Sequence, residues 1–504
     1  MNTNRTATGE NPICFQHYRD LPREMFAESI PVPTASPSLI ELNKNLLRQL
    51  GIDASWFNSE QALSILSGSS INDDNRPIAL AYSGHQFGHW SPTLGDGRAH
   101  MLGQVKTAEG KYLDFQLKGS GRTQFSRGGD GRATLGSVMR EYLLSEAMAG
   151  LGIATTRSIA MLATGDSVAR EQLNPGAILV RSAQSHLRVG SFQFANSQAA
   201  NTRSFQSQPI TSGVKALADF TIAKHFPELE QSTSKYLDLL SAVGKRQAEL
   251  IAEWMLVGFI HGVMNTDNVS IVGETIDFGP CAFMDEFSPK KVFSSIDTQG
   301  RYAWDQQPAI AQWNLTRLAE TLLSLFDEDQ EKSIELAQQC LSEFMPQFQK
   351  AYQSGLTQKF GFPDSNEQTK QLTSQFLAAM ARNGVDFTVF FSSLTQVAEG
   401  ESDQVVINLF EDSDVVTALI KQWQELRAKD NETLSSMRQA NPAVIARNHQ
   451  VQFAINAAVE NNDFLPFRRL CRVLANPYQI DPADEELMTP PKFEERVTQT
   501  FCGT

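Results

Sequence analysis

The sequence predicts an α+β protein of two lobes, a strand-rich N-terminal lobe with one clear helix and a larger helical C-terminal lobe, with a cleft between them. Three observations predict it. Short apolar runs punctuated by glycines fill residues 75–190. Beyond residue 213 apolar side chains recur at helical spacing. Between the two, residues 195–213 are polar and poor in large apolar side chains, so they read as a surface loop or linker.

In the first lobe "AHMLGQV", "YLDFQLKG", "RSIAML", "SVARE" and "AILVRSA" read as strands. Thr164-Gly165-Asp166 suits a hairpin turn between two of them. The helix is "LGSVMREYLLSEAMAGLG", with apolar residues at 135, 138, 139, 142, 143 and 147 and closing glycines at 150 and 152. In the second lobe helices are expected over 213–227, 233–263, 308–327, 331–356, 366–382, 413–428 and 442–460. One short hairpin, "VSIV-GE-TIDFG" at 269–279, interrupts them.

The chain has 504 residues, 41% apolar and 20% charged, with a net charge of −14. That is an ordinary globular composition, and its sign argues against general binding to nucleic acid or to an anionic membrane. The longest strongly apolar run, "WMLVGFIHGVM" at 254–264, is too short to span a bilayer, which takes about 20 residues. The N-terminus has neither an apolar signal core nor an Arg-rich transit pattern, so a cytoplasmic protein is expected. No fixed-period repeat is present. The five cysteines, Cys14, Cys281, Cys340, Cys471 and Cys502, contain no C-x-x-C pair. Their odd number and wide spread argue against a disulfide framework, and Cys502, beside the C-terminus, is expected to be the reactive one.

The candidate chemistry lies in two places. In the first lobe a glycine-rich turn, "LGDGRAH" at 94–100, precedes a strand ending in Lys118, and a helix bearing Glu141 follows. That is the order of a protein-kinase N-lobe, in which glycines admit phosphate, the lysine supplies positive charge and the glutamate fixes the lysine. Gly95 and Gly97 do not complete the kinase glycine motif. In the second lobe His261 and Asn268 keep the spacing of a kinase catalytic loop, and Asp277-Phe278-Gly279 follows. Asn268 and Asp277 would then be oxygen ligands for a hard cation. The kinase catalytic aspartate is absent, because its position holds Val263, which cannot take a proton. Asp267 is the acidic residue left in that loop and could serve as a base. Around these, "GSGRTQFSRGGDGRATLG" at 119–136 and the pair Arg181 and Arg188 mix arginine with glycine, a phosphate-binding composition. Other constellations fail: His85 and His89 have i,i+4 spacing but lie among glycines without a third ligand, and there is neither a nucleophile elbow nor a Walker motif.

Several long stretches together resemble the selenoprotein-O family of protein adenylyltransferases, also called protein nucleotidyltransferases. They are "AYSGHQFGHWSPTLGDGRAHMLG", "DFQLKGSGRTQFSRGGDGRATLGSVMREYLLSEAM", "PGAILVRSAQSHLRVGSFQFA", "HGVMNTDNVSIVGETIDFGPCAFMD" and "ARNHQVQFAI". The resemblance runs from residue 14 to the end of the chain. It implies a kinase-like fold: an N-terminal extension over 1–74, an N-lobe over 75–194, and a helical C-lobe over 195–504 that holds the 261–279 loop. It implies transfer of AMP from ATP, bound in a flipped orientation, to Ser, Thr or Tyr hydroxyls of protein substrates. It implies Gly95, Gly97, Arg98, Lys118, Asp130, Gly131, Arg181, Arg188 and Asp277 as nucleotide contacts. It also implies Asn268 and Asp277 as ligands of Mg2+ or Mn2+, Asp267 as the proton acceptor, and Glu141 as the partner of Lys118. The family's eukaryotic members carry selenocysteine near the C-terminus, where this chain has Cys502, so a regulatory Cys281–Cys502 disulfide is a further expectation. UMP transfer from UTP, an atypical kinase using Asp267, and a non-catalytic nucleotide-binding pseudokinase are the alternatives. A monomer with protein and nucleotide partners is expected.

Overall fold

The computed structural model describes residues 9–14, 17–71, 75–202 and 212–501. Its strands are β1 (Ile13–Cys14), β2 (Phe26–Glu28), β3 (Ser38–Leu42), β4 (Ile78–Leu80), β5 (Gly84–Gln86), β6 (His89–Ser91), β7 (Ala99–Lys106), β8 (Tyr112–Lys118), β9 (Ala133–Thr134), β10 (Arg157–Ala169), β11 (Leu173–Ala183), β12 (Phe259–Ile260) and β13 (Ala282–Phe283). The main sheet is antiparallel, in the order β2-β4-β7-β8-β11-β10-β3, with β1 on β7 and β9 on β11. The first 74 residues therefore supply three strands of this sheet as well as packing on it.

The helices are α1 (Lys44–Leu50), α2 (Glu60–Leu66), α3 (Leu135–Gly150), α4 (Val189–Thr202), α5 (Ser212–His225), α6 (Lys235–Leu256), α7 (Gln307–Leu322), α8 (Gln330–Ser342), α9 (Phe344–Phe360), α10 (Glu367–Asn383), α11 (Phe387–Glu399), α12 (Gln404–Ile407), α13 (Ser413–Leu426), α14 (Asn431–Ala440), α15 (Asn448–Asn461) and α16 (Leu465–Leu474). Strand alternation divides the core. On β11, Ile178 and Val180 join Phe115, Leu117, Trp56 and Leu47 in a cluster roofed by α1 and α2. Their neighbours Ala177 and Leu179 face α3 and belong to the large core shared with the helical region. No helix among the described residues is long and apolar enough to cross a membrane.

Several expected elements differ, each for a local reason. Thr164-Gly165-Asp166 is not the hairpin turn: β10 runs through it with a register shift between Ala163 and Ser167, and the chain reverses at 170–172. The expected linker is helical over 195–202, because α4 continues to Thr202 despite its polar side chains; residues 203–211 lie outside the described residues. The helix expected over 233–263 stops at Leu256, since Gly258 is left-handed (φ 71°), and the remaining apolar residues become strand β12. The segment 331–356 is two helices, because Pro346 cannot donate an N–H and sits in the first turn of α9. The helix expected from 442 starts at Asn448. Helices α1, α2, α4, α11, α12, α14 and α16 lie outside the expected helical segments.

The helical core also buries a lysine. Lys359 on α9 is 2% exposed, lies 4.2 Å above the Phe391 ring and donates to the carbonyl of Ala440, at the C-terminal end of α14. Burial pushes its ammonium down to about 7 from the ordinary 10.5. A lowered lysine leaves the folded state one proton short of the unfolded chain between those two values, so stability rises with pH across that window. We expect the thermal midpoint of the wild type to gain on that of Lys359→Met between about pH 7 and pH 10. Midpoints that stay parallel would show that the lysine is charged in the fold.

Candidate active site

The site begins with the pleat. On β8 Phe115 and Leu117 point into the small core, which turns Gln116 and Lys118 to the other face. Arg181 is directly opposite Gln116 on β11, and Gln116 Oε1 accepts from its Nε and Nη2 at 2.9 and 2.7 Å. Helix α3 crosses the same face and brings Glu141. Its N-terminus is capped by Thr134, whose hydroxyl oxygen accepts from the Ser137 N–H. Lys118 Nζ lies 2.6 Å from Glu141 Oε2, and Arg181 Nη1 lies 2.9 Å from Glu141 Oε1.

The second half hangs from the pairing of β12 with β13, Phe259 with Phe283 and Ile260 with Ala282, which brings together the two ends of the segment 261–281. The hairpin expected at 269–279 does not form. Its two arms pair outward instead, Ser270 with Arg188 and Thr275 with Thr155, and the Ile271 and Thr275 N–H groups bond to Leu187 and Ala154 carbonyls. His261 is fully buried, stacks on Trp254 at 5.3 Å and bonds through Nε2 to the Ile276 carbonyl. Burial lowers its pKa, so it is a neutral clamp on the residue before Asp277. Asp277 itself is left-handed (φ 62°), a conformation that a non-glycine residue holds only when its surroundings impose it.

What imposes it is charge. Asp277 Oδ1 is 2.7 Å from both Lys118 Nζ and Arg181 Nη1, and Oδ2 is 2.7 Å from Arg188 Nη1. Burial alone would raise Asp277; the three cations, Lys118 foremost, outweigh it and hold the carboxyl well below the usual range. Arg188 is 2% exposed, bonds the Asp267 carbonyl at 2.7 Å and lies 4.5 Å from the Tyr82 ring. Asp96, also buried, lies 3.9 Å from it. Asn268 donates its amide to the carbonyl of Val263 at 2.9 Å. Asp267 is 7% exposed, and burial raises its carboxyl to about 6 against the pull of Arg188. Its Oδ1 is buried without a hydrogen-bond partner among the described residues.

All the residues expected to contact nucleotide, metal or proton line one cavity of about 590 Å3: Gly95, Gly97, Arg98, Lys118, Asp130, Gly131, Glu141, Arg181, Arg188, Asp267, Asn268 and Asp277. Its size is that of a small-ligand pocket. Two of them also carry a structural duty in the cavity wall. Gly95 (φ 70°) is glycine because a Cβ would stand 2.3 Å from Phe125, so it lets the 94–98 turn stack on the 119–136 loop. Asp130 accepts two bonds from Arg170, at 2.9 and 3.1 Å, and so pins that loop at the cavity rim. Cys281 is fully buried and does not line the cavity; Cys502 lies outside the described residues.

Sequence reasoning missed Tyr82, Asp96, the Gln86 side chain, which donates to Asp267 Oδ2 at 3.4 Å, and the tail residues Gln499 to Phe501 on the cavity rim. Gln86 lies in a stretch that carries the family resemblance and two histidines but no motif that marks a role for its own side chain, and the tail carries no motif. Thr500 is tied to Phe293 and Pro280 carbonyls, contacts no local pattern could announce.

No group of three or more His, Cys, Asp or Glu that could hold a metal occurs among the described residues. Asn268 and Asp277 offer hard oxygen donors in the same cavity, beside the unpartnered Oδ1 of Asp267. That set fits a divalent cation such as Mg2+, which takes one or two carboxylates and completes its shell from phosphates and water.

Residues 15–475 match the family described as "Protein adenylyltransferase SelO". A relative from Shewanella denitrificans, "Protein nucleotidyltransferase YdiU", is 51% identical over 98% of both chains. Proteins of the same name from Rhodopseudomonas palustris and a Bradyrhizobium species are each 49% identical over 97% of this chain and 98% of theirs. With the match spanning the sheet, α3 and the whole 261–281 segment, this chain belongs to the SelO family of protein adenylyltransferases.

Proposed function

We propose that the protein transfers AMP from ATP to Ser, Thr or Tyr hydroxyls of other proteins, with a divalent cation, on a two-lobed kinase-like scaffold in which the nucleotide lies reversed. The observation that carries this reading is a displacement of the acid. Where a kinase has its catalytic aspartate the cavity wall is Val263, 6% exposed, whereas a buried carboxylate with one oxygen unpartnered, Asp267, stands beside Asn268. The Lys118–Glu141 pair supports the scaffold, and the family supports the chemistry.

In this reading the acceptor hydroxyl oxygen attacks the α-phosphorus, the bond from that phosphorus to the bridging oxygen of the β-phosphate breaks, and pyrophosphate leaves. Asp267 takes the hydroxyl proton. A carboxyl raised to about 6 is ionised at neutral pH yet basic enough to accept it. Arg98 and the glycine-arginine loop at 126–132 face the cavity and suit the outer phosphates, whose charge grows as pyrophosphate departs. Asn268 and Asp277 would hold the cation, which neutralises phosphate charge. Lys118 and Arg181, now on Asp277, are the cations a phosphate chain would recruit.

Purified protein incubated with α-32P-ATP, γ-32P-ATP or α-32P-UTP separates the readings on a gel. Label on protein from α-32P-ATP alone is expected, with Asp267→Asn reducing it by roughly 100-fold or more while ATP still binds. Label from the γ-position would mean a kinase, and label from UTP in preference to ATP would change the nucleotide. The ion cluster yields a separate expectation without nucleotide or metal. Asp277→Asn leaves two arginines and a lysine with only Glu141 and the more distant Asp96 as counter-charges, so denaturant unfolding should show a loss of about 3 kcal/mol. Unchanged stability would mean that Asp277 serves ligands only.

A further inference from the structure

The ribbon formed by β5 and β6 stands apart from the main sheet and pairs Gly84 with Ser91, His85 with Trp90 and Gln86 with His89. It lies against residues 265–267 and grips each of them. The His85 N–H donates to Thr266 Oγ1 at 2.7 Å, and the Phe87 N–H donates to Asn265 Oδ1 at 2.9 Å. The Gln86 amide donates to Asp267 Oδ2 at 3.4 Å. Asn265 Oδ1 accepts a second bond, from the Tyr302 hydroxyl at 2.6 Å, and the Phe87 ring packs on Tyr302 at 5.1 Å. Phe87 is held left-handed (φ 51°), a costly conformation for a bulky residue, which these contacts maintain. The ribbon is braced from behind: His85 bonds Gln193 at 2.9 Å and packs on Trp90 and Trp313 at 5.0 and 5.4 Å.

Two details concern the carboxylate itself. Arg188 holds the main-chain carbonyl of Asp267 and leaves the side chain to other groups. One side-chain donor, Gln86, reaches Oδ2, while Oδ1 has no hydrogen-bond partner among the described residues. At Gly84 a Cβ would stand 2.5 Å from Asp267 Oδ1, so the absence of a side chain there leaves room for that oxygen. Gln86 does not itself line the cavity.

We propose that Gln86, presented by this ribbon and aided by the bare backbone of Gly84, is the positioning residue that aims the Asp267 carboxylate at the acceptor hydroxyl; this rests on the reading of Asp267 as the proton acceptor. Gln86 acts on the transfer step through Asp267 and has no part in holding the nucleotide. Its bond to Asp267 is long, 3.4 Å, within the range from which catalytic contacts tighten on the way to the transition state.

The test compares full-length wild type, Gln86→Met, Gly84→Ala and Asp267→Asn. Transfer of label from α-32P-ATP gives kcat and the KM for ATP, calorimetry gives ATP binding, and thermal midpoints report folding. Gln86→Met keeps the side chain's bulk and loses its N–H. The expected result is a fall of roughly 10-fold or more in kcat for Gln86→Met and Gly84→Ala, with KM for ATP, ATP binding and midpoints within about 2-fold or a few degrees of wild type. If Asp267→Asn is inactive and Gln86→Met keeps the wild-type kcat, the positioning role is overturned and the base assignment stands. If Gln86→Met loses ATP binding or folding along with rate, Gln86 serves the scaffold and the proposal is again overturned. If Asp267→Asn transfers AMP as well as wild type, the base assignment fails first and takes the proposal with it.

Discussion

Asp277 is the point on which the main sheet, α3 and the 261–281 segment meet. One lysine and two arginines converge on its two oxygens at 2.7 Å, from the end of β8, from β11 and from the turn before α4. Glu141 on α3 binds two of those cations and so ties the helix to the sheet. A buried carboxylate with fewer cations would protonate, and buried cations without it would repel one another. The arrangement is thus a closed electrostatic unit that fixes strand, helix and loop together and forces the left-handed backbone at Asp277.

The other constraint is the place of the acid. With Val263 in the wall, the protein keeps a carboxylate four residues further along, buried enough to be raised to about 6. The backbone of that carboxylate is held by Arg188 and its side chain by the β5–β6 ribbon. Two of the acids that line the cavity are held in opposite ways: Asp277 is surrounded by cations and kept low, and Asp267 is nearly unpartnered and kept high. Such a divided pair suits one ligand-binding carboxylate and one proton-accepting carboxylate.

Much of this was legible because it is local or periodic. The alternation of β8 and β11 places Lys118 and Arg181 on one face, and the interval from His261 to Asp277 marks the loop. The rest depended on contacts between distant segments. The 269–279 stretch has a hairpin's pattern, yet its arms pair with 154–156 and 187–189. Strands β1 to β3 are short, and only the sheet that receives them makes them strands. The 94–98 turn has the composition of a phosphate loop, but the close approach of Gly95 to Phe125 depends on a contact that its neighbours in sequence do not show. Gln86 was hidden because nothing in its neighbours announces a contact with a residue far along the chain.

The most direct test of the account is a structure of the full chain with a non-hydrolysable ATP analogue and Mn2+, the cation located by its anomalous scattering. The account predicts manganese between Asn268 and Asp277, the α-phosphorus as the phosphorus nearest Asp267, and the outer phosphates against Arg98 and the 126–132 loop. A γ-phosphorus beside Asp267, with the α-phosphate in the arginine-glycine loop, would contradict it.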